Sequence, residues 1–218
     1  PLQLTFFDDQ TVRSFAWRPQ GDFVFNADFQ GNELYQIYRL PPTGIVAERL
    51  TGRDDVRHQF SRDNLSNDGR FIAYAANANN PMDMDVFVRD LKTGETRCLT
   101  KGGGVFFPNR FSPNNRFLVI TRLNSTLDSD LFLCDLRSGE LLQLTPHEGY
   151  ALYFAADWLP DGSGFLVVSD EGREFKGLAI YRLKKRKLDW LETPNWDVED
   201  VALSPDGSVL AWSVNEDG

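Results

Sequence analysis

The chain is poor in the residues from which most protein chemistry is built: its 218 residues hold two cysteines, two histidines and two methionines. Two cysteines make no disulfide framework. Cys98 (in RCLT) and Cys134 (in LFLCDL) are expected to be buried free thiols, which suits a reducing compartment and favours a cytoplasmic over a periplasmic setting. Positive charge is also short: the net charge of −9 and a pI near 4.7 argue against a phosphate-binding surface, so neither nucleic acid nor an anionic membrane is an expected partner. No apolar run approaches the length of a membrane span. The chain starts at Pro1 without Met or a signal peptide, which points to a processed or trimmed polypeptide.

Catalytic signatures are missing too. There is no GxSxG from which a serine nucleophile would project, no HExxH, no paired CxxC and no twelve-residue calcium loop. Gly102-Gly103-Gly104 lacks the Lys and helix of a phosphate loop. His58 (in VRHQF) and His147 (in TPHEG) stand alone and read as surface or loop residues. The acidic pairs Asp83/Asp85 and Asp128/Asp130 recur 45 residues apart, so they belong to a repeat rather than to a cation site. The expectation is a chain without metal, cofactor or catalytic residue.

What is present is repetition. WRPQGDFVF from Trp17, LSNDGRFIAY from Leu65, FSPNNRFLVI from Phe111, WLPDGSGFLVV from Trp158 and LSPDGSVLAW from Leu203 are five copies of one unit. Their anchors Gly21, Gly69, Asn115, Gly162 and Gly207 are spaced 48, 46, 47 and 45 residues apart. Pro presets φ in such a turn, Asp or Asn bonds nearby amides, and Gly takes the positive-φ position that Asn best tolerates among other residues. Near-continuous apolar runs follow each turn, as in strands buried on both faces, and seventeen Phe against few Met indicate a core of stiff side chains. A strand-rich repeat of about 46 residues predicts an all-β fold, a β-propeller with four antiparallel strands per blade.

The copies divide the chain into blades at about 12–51, 58–100, 105–145 and 151–193, and the first half of another at 198–218. Residues 1–5 (PLQLT) match the closing strands AERLT, TRCLT, LLQLT and DWLET, and so read as the last strand of a preceding blade. Four blades plus a partial fifth predict a fragment of a six- to eight-bladed ring. Asp90 and Asp135 are expected to bond turn amides, and Lys184-Lys185-Arg186-Lys187 to form a solvated hairpin tip. The first strand of a propeller blade lines the central channel, and these stretches carry Arg13, Arg62, Asp63, Asn109, Arg110, Asp157 and Asp200. Arg13, Arg62, Asp63, Arg110, Asp157 and Asp200 are therefore the candidate substrate-channel residues.

The SPDG turn with a downstream DLxTGExxxLT hairpin resembles the propeller repeats of TolB-like proteins and of the prolyl oligopeptidase family of serine peptidases. SDEGREFKGLAIYRL (169–183) and WDVEDVALSPDGSVLAWSVNEDG (196–218) are similar to the propellers of acylaminoacyl-peptidase-like and dipeptidyl-peptidase-like members. The resemblance implies a non-catalytic propeller that gates access of short peptides to an α/β-hydrolase domain of the same parent chain. Its rival is a TolB-like propeller that binds a protein partner and has no peptidase activity.

Overall fold

A computed structural model describes residues 3–44 and 46–217. Two compact units divide it, one ending at Pro108 and the other starting at Asn109, and each is taken by itself. In the first unit, β1 (Gln10–Trp17), β2 (Phe23–Phe29), β3 (Gln36–Leu40) and β4 (Glu48–Arg49) form blade 1, hydrogen-bonded in chain order. Blade 2 is β5 (His58–Gln59), β6 (Phe71–Ala76), β7 (Asp85–Asp90) and β8 (Thr96–Cys98). The cut between units falls within β9 (Val105–Phe111), which opens blade 3 with β10 (Phe117–Ser125), β11 (Asp128–Asp135) and β12 (Leu141–Gln143). Blade 4 comprises β13 (Tyr153–Trp158), β14 (Gly164–Ser169), β15 (Gly177–Arg182) and β16 (Lys187–Glu192). A two-stranded sheet follows, β17 (Asp197–Leu203) and β18 (Leu210–Asn215). Strands within these sheets pair antiparallel, and an isolated parallel bridge joins Met84 to Val105, so the architecture is the predicted one of four-stranded blades plus part of a fifth.

Of the stretch expected to end a preceding blade, Pro1 and Leu2 lie outside the described residues, and residues 3–5 carry no strand. The first strand of blade 2 is shorter than its sequence suggests. After β5 the chain enters a 3-10 turn, Arg62–Asn64, because Asn64 diverts it. The Asn64 Oδ1 accepts from the Ser61 amide and hydroxyl at 2.9 and 3.0 Å, and its Nδ2 donates to the Pro108 carbonyl at 2.9 Å. A side chain that supplies local partners competes with the strand ladder.

Three of the five repeat turns are closed by the same small set of bonds. Gly69, Asn115 and Gly207 have φ of 69°, 56° and 72°, in the left-handed region that Gly and Asn tolerate. Their amides donate to the carbonyls of Ser66, Ser112 and Ser204, each at 2.8 Å. The serines do more than the sequence reading assigned to them. Their hydroxyls accept from the amides of Phe71, Phe117 and Val209 at 2.8, 2.9 and 2.9 Å, and donate to Asp68, Asn114 and Asp206. Serine, carboxylate or amide, and glycine thus fix one turn shape, and the strands on either side keep their register.

The second strands of blades 1, 2 and 4 are buried along nearly their whole length, which accounts for their apolar runs. Within each unit, a face of one blade packs on the next. In the first unit, Val24, Ile37 and Leu50 of blade 1 share a core with Phe60 and Tyr74 of blade 2. In the second, Val119, Leu131 and Leu144 of blade 3 meet Tyr153, Phe165 and Tyr181 of blade 4, while Leu166, Leu178 and Ile180 meet Val198, Leu203 and Leu210 of the fifth sheet. Full burial of each such side chain contributes about 1.5–3 kcal/mol. A repeated backbone bond accompanies the packing: the start of each third strand is bonded to the chain at or just before the first strand of the next blade. The pairs are His58 N to Tyr35 O (3.0 Å), Phe106 N to Met84 O (2.8 Å), Ser129 N to Ala151 O (2.9 Å) and Val198 N to Lys176 O (2.9 Å).

Candidate functional site

The candidate channel residues are placed by irregularities in first strands. In the first unit, Arg13 occupies a bulge between Val12 and Ser14 on β1 and is exposed. In the second, Asp157 lies in the bulge between Ala155 and Trp158 on β13, and Asp200 in the bulge between Val198 and Val201 on β17. A bulge leaves one residue out of the ladder and re-aims its side chain, a device common at binding edges. Arg62 and Asp63 were expected on a strand and are instead on the 3-10 turn after β5. Their side chains lie 3.8 Å apart and Arg62 is exposed, so the pair is a weak surface one.

In the second unit, Arg110 and Asp157 meet. Arg110 Nε is 3.1 Å from Asp157 Oδ1, while Asp157 Oδ2 accepts from the Leu203 amide at 2.8 Å. Trp158 Nε1 donates to the Arg110 carbonyl at 3.1 Å. Asp157 therefore ties together first strands from blades 3, 4 and 5, and both its oxygens are engaged. Its placement serves assembly. Asp200 is exposed, and its amide donates to Ser213 Oγ at 3.1 Å. Chemically, Arg13 and Arg62 offer donors to carboxylates or peptide carbonyls in one unit, and Asp200 offers an acceptor in the other. None of these groups is arranged as nucleophile, base and orienter.

The two histidines depart from the sequence reading. His58 is buried on β5, not at the surface; its Nδ1 lies 3.1 Å from the Tyr35 carbonyl and its ring 5.7 Å from that of Tyr74. Burial pushes its pKa down to about 4, aided by the charges of Arg49 and Arg53. His147 lies in the loop as expected, yet its side chain is enclosed. Nε2 is 2.8 Å from Asp128 Oδ1, Nδ1 is 2.9 Å from the Thr145 carbonyl, and Asp130 is 3.6 Å away. Both ring nitrogens face acceptors, an arrangement only the imidazolium satisfies in full. Burial works against that charge, but the Thr145 carbonyl and the two carboxylates outweigh it and raise the pKa.

The acidic pairs are absorbed by the repeat. Asp85 accepts from Thr100 Oγ1 at 2.8 Å and from the Gly102 amide at 2.7 Å. Asp130 accepts from Gln143 and Asn124. The Thr ending three LT motifs accepts a third-strand amide: Thr51 from Ile37, Thr100 from Val86, Thr145 from Leu131, at 2.9–3.0 Å. No group of three or more His, Cys, Asp or Glu positioned to hold a metal occurs among the described residues. Asp90 and Asp135 bond turn amides as expected, through Lys92 and Arg137 respectively, and each also accepts from an arginine, Arg70 or Arg116. The Lys184–Lys187 run is a hairpin tip between β15 and β16, with Lys185 and Lys187 paired to Asp189. Cys134 is buried and Cys98 half-buried, and neither is in a disulfide; the Cys98 thiol donates to the Thr100 carbonyl. Blade 1 holds a cluster the repeat pattern concealed, where Arg18 stands in the serine position and pairs with buried Asp22, which also meets Arg39. Burial raises the Asp22 pKa, and the two guanidiniums more than reverse that.

No protein-family model and no curated protein matches this chain. Solved structures do. A TolB-type protein from Agrobacterium tumefaciens matches with a TM-score of 0.68 at 19% identity, over 95% of this chain and 71% of that one. TolB from Acinetobacter baumannii matches with a TM-score of 0.66 at 20% identity, over 98% of this chain and 51% of that one. Dipeptidyl peptidase 4 from Porphyromonas gingivalis matches with a TM-score of 0.65 at 13% identity, over 90% of this chain and 35% of that one. The chain thus spans about half of one TolB and about a third of the peptidase. At these identities the likeness shows the fold, a β-propeller of the kind found in TolB and in peptidases of the prolyl oligopeptidase type.

Proposed function

We propose that this chain is the non-catalytic propeller of a prolyl-oligopeptidase-like serine peptidase, where it governs the access of short peptides to a separate α/β-hydrolase domain. One observation carries the reading: nearly all of the chain is matched by a peptidase of which it spans only about a third, so the fold is a part there and not the whole. The stretches 169–183 and 196–218 support the same assignment by their resemblance. In this role Arg13, Arg62 and Asp200 present charge to passing peptides, and Arg110–Asp157 holds neighbouring blades in register. The setting is a reducing one, the cytoplasm rather than the periplasm. The test is hydrolysis of chromogenic aminoacyl and dipeptidyl substrates by the parent protein and by this chain alone. The parent should turn over short peptides and spare folded proteins, and the chain alone should be inert. Turnover that follows the purified chain overturns the assignment.

A second reading has its own observation. The TolB matches have the higher identities and the larger shares of the matched chain. On that reading the propeller binds a protein partner through its loops and no hydrolase domain exists in the parent.

A further inference from the structure

The fourth strand of each blade lies at the end of its sheet, and three of the four are short. β4 has two residues, Glu48 and Arg49, both exposed, and β8 and β12 have three each. Shortness and charge guard such an edge against pairing with other chains. β16 departs from this pattern. It runs six residues, Lys187–Glu192, and among the described residues no strand is hydrogen-bonded to its outer side. It also shows Trp190 (37% exposed) and Leu191 (42%) to solvent.

The ladder with β15 fixes which side chains share a face. Lys187, Leu188, Asp189 and Trp190 pair in turn with Arg182, Tyr181, Ile180 and Ala179; Leu191 is then passed over, and Glu192 pairs with Leu178. Lys187 and Asp189 therefore belong to one face and Leu188 and Trp190 to the other, and the skipped residue returns Glu192 to the face of Lys187. Read in the opposite direction, the strand complements itself. About a two-fold axis through Asp189, Lys187 stands opposite Glu192 and Leu188 opposite Trp190, each pair on one face. Asp189 meets its own copy at the axis, where cations are already in place: Lys185 Nζ at 3.2 Å, with Lys187 Nζ and Arg182 Nε at 3.4 Å. Gly177 leaves room for the Trp190 ring, which an added Cβ would approach to 3.0 Å, and the Arg173 guanidinium stands 5.2 Å from the ring centroid. The indole is thus held in place before a partner arrives.

We infer that β16 pairs antiparallel with β16 of a second copy of this chain, joining two blades into one continuous sheet across a two-fold axis at Asp189. Opposite charge at the two ends of the strand favours this occupant over an acidic or a basic peptide, since either peptide would satisfy one end and oppose the other. The inference rests on the strand itself and not on the peptidase reading.

Asp189→Cys tests the axis. Directly opposed residues of an antiparallel pair have Cα atoms about 4.5–5.5 Å apart, within reach of a disulfide. Under mild oxidation this variant should give a covalent dimer on a non-reducing gel, and Glu48→Cys on the β4 edge should not. Charge reversal tests the pairing. In sedimentation equilibrium the wild-type chain should dimerise. Lys187→Glu sets two like-charged pairs against each other by symmetry and should weaken the dimer about tenfold, and adding Glu192→Lys should restore it. A wild-type chain that stays monomeric overturns the inference, as does a dimer that Lys187→Glu leaves unchanged or that Asp189→Cys fails to lock. A monomer that captures an acidic peptide at the basic tip would make that peptide the occupant and also overturns it. None of these readouts involves substrate turnover, by which the peptidase assignment stands or falls.

Discussion

Protonation of His58 should act directly on folding stability, and its size follows from the structure. The unfolded imidazole titrates near its ordinary value of 6.5, while burial in the folded first unit pushes it down to about 4. The unfolded chain therefore binds the proton more readily. His58 contributes stability that is fully present above about pH 6.5 and is lost as pH falls towards 4. Between pH 7.5 and 5 this loss is about 2 kcal/mol, and it levels off near 3 kcal/mol below pH 4. His147 acts in the opposite sense. Its raised folded value means stability that is present below 6.5 and is lost as pH rises through the folded pKa. Carboxylates held low by arginines, such as Asp22, Asp90 and Asp135, lose their contribution only around and below their ordinary 3.8, outside this window. Urea denaturation at pH 7.5 and 5.0 then separates the two histidines. His58→Gln should remove the acid loss and leave a protein as stable or more stable at pH 5.0 than at 7.5. His147→Gln should steepen the loss. An NMR titration of the folded protein should place His58 near 4. A His58→Gln variant that loses as much stability as wild type over this range would refute the reasoning, as would a His58 that titrates near 6.5.

Three further outcomes follow from packing and turn geometry. Trp158→Ala should lower stability by about 3–5 kcal/mol, since it empties a buried site and leaves the Arg110 carbonyl without its donor; chemical denaturation measures it, and Trp17→Ala in the same chain should cost far less. Thr100→Val should cost about 1–3 kcal/mol by orphaning the Val86 amide and removing one of the two donors to Asp85 Oδ1, with faster hydrogen exchange at Val86 as the local signature. Gly69→Ala should exceed Gly139→Ala. Both sit at positive φ, but an added Cβ at 69 comes within 2.6 Å of Pro19 Cδ whereas at 139 it meets nothing within 4 Å. The strain common to both is about 1–2 kcal/mol, and the difference in midpoint isolates the clash.

The blade pattern was legible because it is local. A turn that needs a left-handed residue, and strands buried on both faces, leave marks within a dozen residues, and Gly21, Gly69, Asn115, Gly162 and Gly207 all take positive φ. Asp90 and Asp135 were readable as turn residues for the same reason. What escaped depends on partners far away in sequence. His58 looked bland because its burial is made by Tyr35 and Tyr74. Asp157 looked like a channel residue because its partners, Arg110 and the Leu203 amide, lie 47 and 46 residues away. The strand expected through Arg62 and Asp63 was lost to Asn64, whose side chain finds a carbonyl 44 residues on. One sign was available: Asn64 follows Ser61 by three, a spacing that favours a local turn over a strand. The Arg18–Asp22–Arg39 cluster was hidden by its place in a repeat position held by serine in three other copies.

The central claim, a propeller that serves a hydrolase domain, is tested most directly by the sequence of the full-length gene product. The account predicts that it contains, beyond further blades, an α/β-hydrolase domain with GxSxG followed in order by Asp and His. A gene product made only of the blades needed to close a ring would contradict it and leave a binding propeller in its place.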